Sequence, residues 1–309
     1  MNKKIYVIFA LLLCLVLSSC STDSKQHNKG IAITDDLGNT CHLSEDPKVV
    51  ACYGSFAECW LLAGGNLIGV TEDAISEHNL FSDEKVSVVG TVKEINVETL
   101  LSLTPDYVIL SADLTAHIAL QPMLDSLDIA YGYFSVDTFE DYSSLMEQFC
   151  KITQRQDLYQ KNVTDVKARI DLIRSKIPED CDKTVLLMRA FSSGVKAKTD
   201  DNLAGQILKE FGVINIADLH PSLLEDISIE HIVKQDPDYI FTLTMGSEEA
   251  ALAYLSENVE NNAVWQELDA VKNNRYILLP KELFHYKPNN RWDKSYEYIA
   301  KIIYPEIFK

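Results

Sequence analysis

The chain uses one motif twice. "VETLLSLTPDYVI" (residues 97–109) and "IEHIVKQDPDYIF" (residues 229–241) each run from a helical stretch through Pro-Asp-Tyr into an apolar, β-branched run. Glu98 and Glu230 both stand seven residues ahead of the proline, and Pro105 and Pro237 are 132 positions apart. Proline disfavours helix at the residue before it and aspartate favours turns, so each copy reads as a helix that stops, a turn and a buried strand. Two copies at this separation call for two similar α/β units, and 309 residues suffice for two cores.

The surrounding pattern agrees. "KVVAC", "LIGV", "VSVVG", "YVIL" and "IAYGYF" read as strands between helical segments such as "SFAECWLLAGG", and alternation resumes with "KTVLLMRA", "NLAGQILKEFG", "YIFTLT" and "RYILLP". Such alternation predicts mainly parallel sheets flanked by helices. Between the two runs, Tyr159, Val163, Val166, Ile170, Ile173 and Ile177 recur at spacings of four and three, one apolar stripe on a helix roughly 30 Å long. The expected organisation is a leader over residues 1–19, a linker over 20–30, α/β lobes over 31–138 and 179–309, and a connecting helical segment over 139–178.

The first residues, "MNKKIYVIFALLLCLVLSSC", have the charged start and short apolar run of an export signal. The run from Ile5 to Leu17 is 13 residues, short of the about 20 that span a bilayer. Removing that leader takes away two lysines and leaves 26 basic against 46 acidic residues, a net charge of −20. So acidic a surface repels nucleic-acid phosphates and anionic headgroups. Five cysteines remain once Cys14 is lost with the leader and Cys20 is set aside. Cys41, Cys52, Cys59, Cys150 and Cys181 match no zinc spacing, and Cys52 and Cys59 lie in apolar surroundings that suit inert core thiols. Catalytic signatures are missing: there is no G-x-S-x-G elbow, H-E-x-x-H, phosphate loop or dinucleotide fingerprint.

"LSSC" resembles the lipobox of bacterial lipoproteins, in which the cysteine, here Cys20, carries the lipid. Together with "DDLGNTCHL", "PKVVACYGSFAECWLLAGGNLIGVT", "VVGTVKEINVETLLSLTPDYVILS" and "AVWQELDAVKNNRYILLP", it resembles the substrate-binding lipoproteins of ABC importers for iron complexes and vitamin B12. The resemblance implies two α/β lobes on a rigid helix with a ligand cleft between them. It further implies a monomer, lipid-anchored at the extracytoplasmic face of the cell membrane, that serves a permease dimer and its ATPase subunits, with no cofactor of its own. The ligand it implies is a ferric siderophore, haem or a corrinoid. B12 binders of this family place a tryptophan in the loop matching "GTVKEIN", where this chain has Val92. A bare-metal importer component is an alternative, although His42, His78, His117, His220, His231 and His285 are scattered along the chain. An exported enzyme of undetected chemistry is a lower-ranked one.

Cleft residues are expected on loops at the C-terminal ends of strands. In the first lobe these are Tyr53 and Ser55, Lys93 and Glu94, and Ser111; in the second, Arg189, Ser192 and Lys196, Met245, and His285 with Tyr286. Arg189 and Lys196 would offer positive charge to an anionic chelate or to propionates, and Tyr53, Met245, His285 and Tyr286 could supply axial ligands to haem iron. Glu98 and Glu230 resemble the family's docking pair, one exposed glutamate per lobe facing the permease.

Overall fold

The computed structural model describes residues 30–81, 86–225 and 227–308. Cys20 and the expected leader lie outside these residues. Ile31–Lys309 packs as one compact unit. Strand β1 (Ile31–Thr34) forms an antiparallel hairpin with β2 (Thr40–Leu43). The first sheet is wholly parallel, in the order β5 (Ser87–Val88), β4 (Leu67–Val70), β3 (Val49–Ala51), β6 (Tyr107–Ser111), β7 (Ala130–Phe134). The second orders β10 (Ile214–Asn215), β8 (Thr184–Phe191), β11 (Tyr239–Thr244) and β12 (Tyr276–Leu278) in parallel, and β9 (Gly194–Ala197) turns back antiparallel on β8. The sequence reading missed the β1–β2 hairpin, β9 and β10: each is short and carries too little apolar alternation to announce itself.

The doubled motif folds alike in both places. Asn96 and Ser228 cap the helices Val97–Ser102 and Ile229–Gln235 by accepting from the backbone N–H of Thr99 and His231. Thr104 and Asp236, each just ahead of its proline, take left-handed φ of 48° and 42°. The aspartates do more than turn the chain. Asp106 Oδ2 accepts from the Lys48 N–H at 2.8 Å, and Asp238 Oδ2 from the Thr184 N–H at 2.8 Å, so each pins the start of the neighbouring strand, β3 or β8. Tyr107 and Tyr239 then enter the core.

Side chains alternate along the central strands, and the two faces enter different cores. Val50, Val108 and Leu110 face a cluster private to the first sheet, and Leu186, Met188 and Ile240 one private to the second. Val49, Tyr107 and Ile109 instead share one continuous core with Val185, Leu187 and Phe241. Helical residues Phe149, Val163, Val166 and Ile170 lie in that same core. The connecting segment comprises the helix Phe139–Thr153, followed by Gln156–Tyr159, a π-turn at Gln160–Thr164 and Asp165–Arg174, which run on without a break. The predicted stripe is its buried face, except that Ile177 falls past the last turn. A shared core of this extent stiffens the two lobes against one another, because packed interiors deform in discrete steps rather than smoothly.

Candidate functional site

Strand ends from both sheets converge on a cavity of about 380 Å³. Tyr53, which follows β3, Asp113 after β6, and Val136 with Asp137 after β7 form the wall nearest the first sheet. Arg189 on β8, Asp201 to Leu203 beyond β9, and Met245 after β11 form the opposing wall. Phe284 to Pro288 and Trp292 complete it. The close wall at Asp201–Leu203 needs a glycine: a Cβ on Gly205 would come within 1.9 Å of the Thr199 carbonyl oxygen.

Of the residues expected at the cleft, Tyr53, Arg189, Met245, His285 and Tyr286 line the cavity. Six others do not. Ser55 is buried, its Oγ 3.3 Å from His78 Nε2. Ser111 is buried too and acts one step back, its Oγ accepting from the N–H of Asp113, which does line the cavity. Lys93 borders a separate groove with Glu72, Asp73 and Glu77. Glu94 is exposed and closes a turn through its N–H to Thr91 Oγ1. Ser192 is exposed in the turn between β8 and β9. Lys196 is exposed, yet the β8–β9 register sets it directly opposite Arg189, on the same face. Asp137 follows the C-terminal end of β7 and so obeys the strand-end rule, whereas Asp201 comes after the antiparallel β9, whose end points away from that edge of the sheet, and only the tertiary fold brings it to the cavity.

Charge around the cavity is mostly paired. Lys287 Nζ meets Asp137 at 2.9 Å, Lys198 holds Asp201, and Ser135 Oγ donates to Asp113. Arg189 is the exception: among the described residues its side chain has no ion pair or hydrogen bond, and its Nε is buried without a partner. Burial lowers its pKa, opposed by Asp201. The indole N–H of Trp292, 2 % exposed, is likewise unpartnered.

Protonation fixes which atoms can donate. Burial pulls His285 down to about 4, helped by Lys281, Arg189 and Lys287, so its imidazole is neutral near pH 7. Burial and the carboxylates of Asp73 and Asp113 push Tyr53 up to about 12, and burial beside Glu77 raises Tyr286. At neutral pH the cavity therefore presents the guanidinium of Arg189, a neutral imidazole and two intact phenols beside the hydrogen-bonded or ion-paired Asp113, Asp137 and Asp201, and the first four are donors suited to an oxygen-rich anion. Among the described residues no group of three His, Cys, Asp or Glu side chains could hold a metal ion.

Beside the cavity lies a buried polar cluster. Glu58, on the helix Gly54–Leu62, is 8 % exposed. Its carboxylate accepts from Arg291 Nη1 at 2.6 Å and Nη2 at 3.2 Å, from Asn289 Nδ2 at 2.7 Å, and lies 3.3 Å from His78 Nδ1. Burial alone would raise its pKa, but the bonds to His78, Arg291 and Asn289 hold it at about 2. The five cysteines Cys41, Cys52, Cys59, Cys150 and Cys181 are free, and burial raises the pKa of both Cys52 and Cys59.

The family model described as "Periplasmic binding protein" matches residues 49–283. The Fe(3+)-citrate-binding protein YfmC of Bacillus subtilis is 24% identical over 319 residues, covering 99% of this chain and 98% of that one. The petrobactin-binding protein YclQ of the same organism is 27% identical over 299 residues, 90% of this chain and 91% of its own. Its crystal structure superposes with a TM-score of 0.67 over 91% of this chain and 99% of that one. Staphylococcus aureus IsdE, solved with heme, gives 0.67 at 19% identity, covering 84% and 99%.

Proposed function

The chain belongs to the periplasmic binding protein family, and on that premise we propose that it captures a small ferric chelate outside the cytoplasmic membrane and delivers it to the permease of an ABC importer. The observation that carries this reading is the unpaired Arg189 in a cavity whose other charges are largely paired. Arg189 is half-buried, its Nε has no hydrogen-bond partner, and Asp201, the carboxylate that acts on it, is held by Lys198, so an anionic ligand supplies a partner. About 380 Å³ lies near the small end of ligand sites, which run from about 300 to 1,000 Å³, and so favours a compact chelate. The Fe(3+)-citrate and petrobactin relatives support that class.

Haem is the second reading, favoured by the neutral His285 beside Tyr286 and Tyr53. An absorbance spectrum and native mass of protein purified from iron-rich medium separate the two. An intense band at about 400 nm means haem; a mass increment of iron plus an organic acid without that band supports the chelate. Corrin bands or bound zinc would overturn both.

Among the described residues no helix is long and apolar enough to cross a membrane. We propose that the protein is held at the membrane through a lipid on Cys20. Acyl chains contribute about 0.8 kcal/mol per buried methylene, and two chains hold a protein stably where one is marginal. Cys20→Ala is expected to shift the protein from the membrane fraction to the soluble one, or to leave an unprocessed precursor. Mature, membrane-bound mutant protein would contradict the anchor.

A further inference from the structure

The stretch Phe284–Pro288 contributes five side chains to the cavity, including His285 and Lys287, and runs directly into Asn289, Asn290 and Arg291. The turn after it is fastened from the other side of the cleft. Asn289 is 1% exposed and left-handed at φ 53°. Its Nδ2 donates to the Ser55 carbonyl at 3.1 Å and to Glu58 Oε2 at 2.7 Å, and its Oδ1 accepts from Cys59 Sγ at 3.2 Å. Arg291 closes a two-pronged pair on the same carboxylate. His78, which bridges Ser55 and Glu58, also places its ring 5.5 Å from that of Tyr286 on the cavity wall. All three residues that receive the turn, Ser55, Glu58 and Cys59, lie on one helix that follows β3 of the first sheet.

We propose that Glu58 is a positioning residue for the ligand cleft: from the first lobe it fixes the strap 284–291, and so sets where His285, Tyr286 and Lys287 stand relative to Tyr53. Other ties on the strap are weaker. Lys287–Asp137 joins side chains 21% and 65% exposed, and exposed pairs contribute little. Lys281 reaches the Gly246 carbonyl at 2.8 Å within the second lobe and says nothing to the first. Glu58 is the charged group that holds the strap from the opposite side and is itself buried. Arg291, at 39% side-chain exposure, can turn to water if the carboxylate is removed, so the fold should outlast the change.

This inference rests on reading the cavity as the ligand site, and its test separates the two. In Glu58→Gln one of the two acceptor oxygens becomes an N–H donor and the negative charge is lost, so Asn289 and Arg291 can no longer both keep their bonds, which loosens the strap while keeping side-chain size. The imidazole of His285, followed by NMR titration without any ligand, is expected to move from about 4 back toward its ordinary 6.5 as it gains solvent. Affinity for ferric citrate is expected to fall at least tenfold. Asn289→Gly, which keeps the left-handed backbone and deletes the amide, is read in the same two ways and serves if Glu58→Gln does not fold. A lower melting temperature with an unmoved His285 titration would reduce Glu58 to a stabilising residue and overturn the proposal. If the unaltered protein binds no ferric chelate, the ligand reading fails, while the His285 titration still decides the positioning role.

Discussion

Replacing Arg189 with alanine is expected to weaken binding of an anionic ferric chelate by about ten- to a hundredfold, with almost no loss of thermal stability. The magnitude is that of a charge-assisted hydrogen bond, about 1.5 to 3 kcal/mol. The separation of the two effects is the informative part. An arginine that served as an internal salt-bridge partner would leave a buried carboxylate uncompensated when removed, and such losses cost the fold several kcal/mol. Arg189 has no such partner among the described residues, and Asp201 already has Lys198. Its removal relieves a desolvated charge, so the melting temperature should hold or rise slightly. Lys196 is exposed opposite Arg189 and does not line the cavity, so Lys196→Ala is expected to change affinity much less than Arg189→Ala. Equal loss of ligand affinity and stability in Arg189→Ala, measured by fluorescence titration and thermal melting, would assign it to the scaffold.

Changing both Glu98 and Glu230 to arginine is expected to abolish uptake of the chelate by cells while leaving its dissociation constant within a few fold of normal. The two residues occupy the same place in two copies of one motif: second in a capped helix, exposed, and without an ion pair among the described residues. Carboxylates there favour the helix dipole by roughly 0.3 to 1 kcal/mol each, a local role that leaves both side chains exposed and available to a partner. A permease of two subunits presents two equivalent patches, and acids at matched places on both lobes can meet both at once. Neither residue lines the cavity, so binding and delivery should part company. Normal uptake by a stably folded double mutant would leave the helix dipole as the only role for these residues.

Much of this architecture was legible because it rests on periodicity and punctuation. The Pro-Asp-Tyr repeats, the apolar stripe from Tyr159 and the runs around Val49, Tyr107, Val185 and Tyr239 all fold as their patterns direct. Local signals fail where long-range partners decide. Asp106 and Asp238 look like turn residues, yet each pins a strand distant in sequence. Glu58 reads as a polar position on an apolar helix, and only the arrival of Asn289 and Arg291, more than 230 residues later, gives it a role. Site residues followed the same division. The strand-end rule located Tyr53, Arg189, Met245 and His285, whereas Ser55 and Ser111 satisfy that rule and turn inward to hold His78 and Asp113. Strand position says which residues come near the cleft, and hydrogen-bond partners decide which ones face it.

Ligand capture is tested most directly by titrating the purified protein with ferric citrate, iron-free citrate and zinc, following heat and tryptophan fluorescence, since Trp292 lines the cavity. A chelate-binding cleft predicts saturation by ferric citrate, or by another anionic ferric chelate, at one iron per chain, with iron-free citrate much weaker and zinc silent. Saturable zinc binding with no response to any ferric chelate or to haem would contradict it.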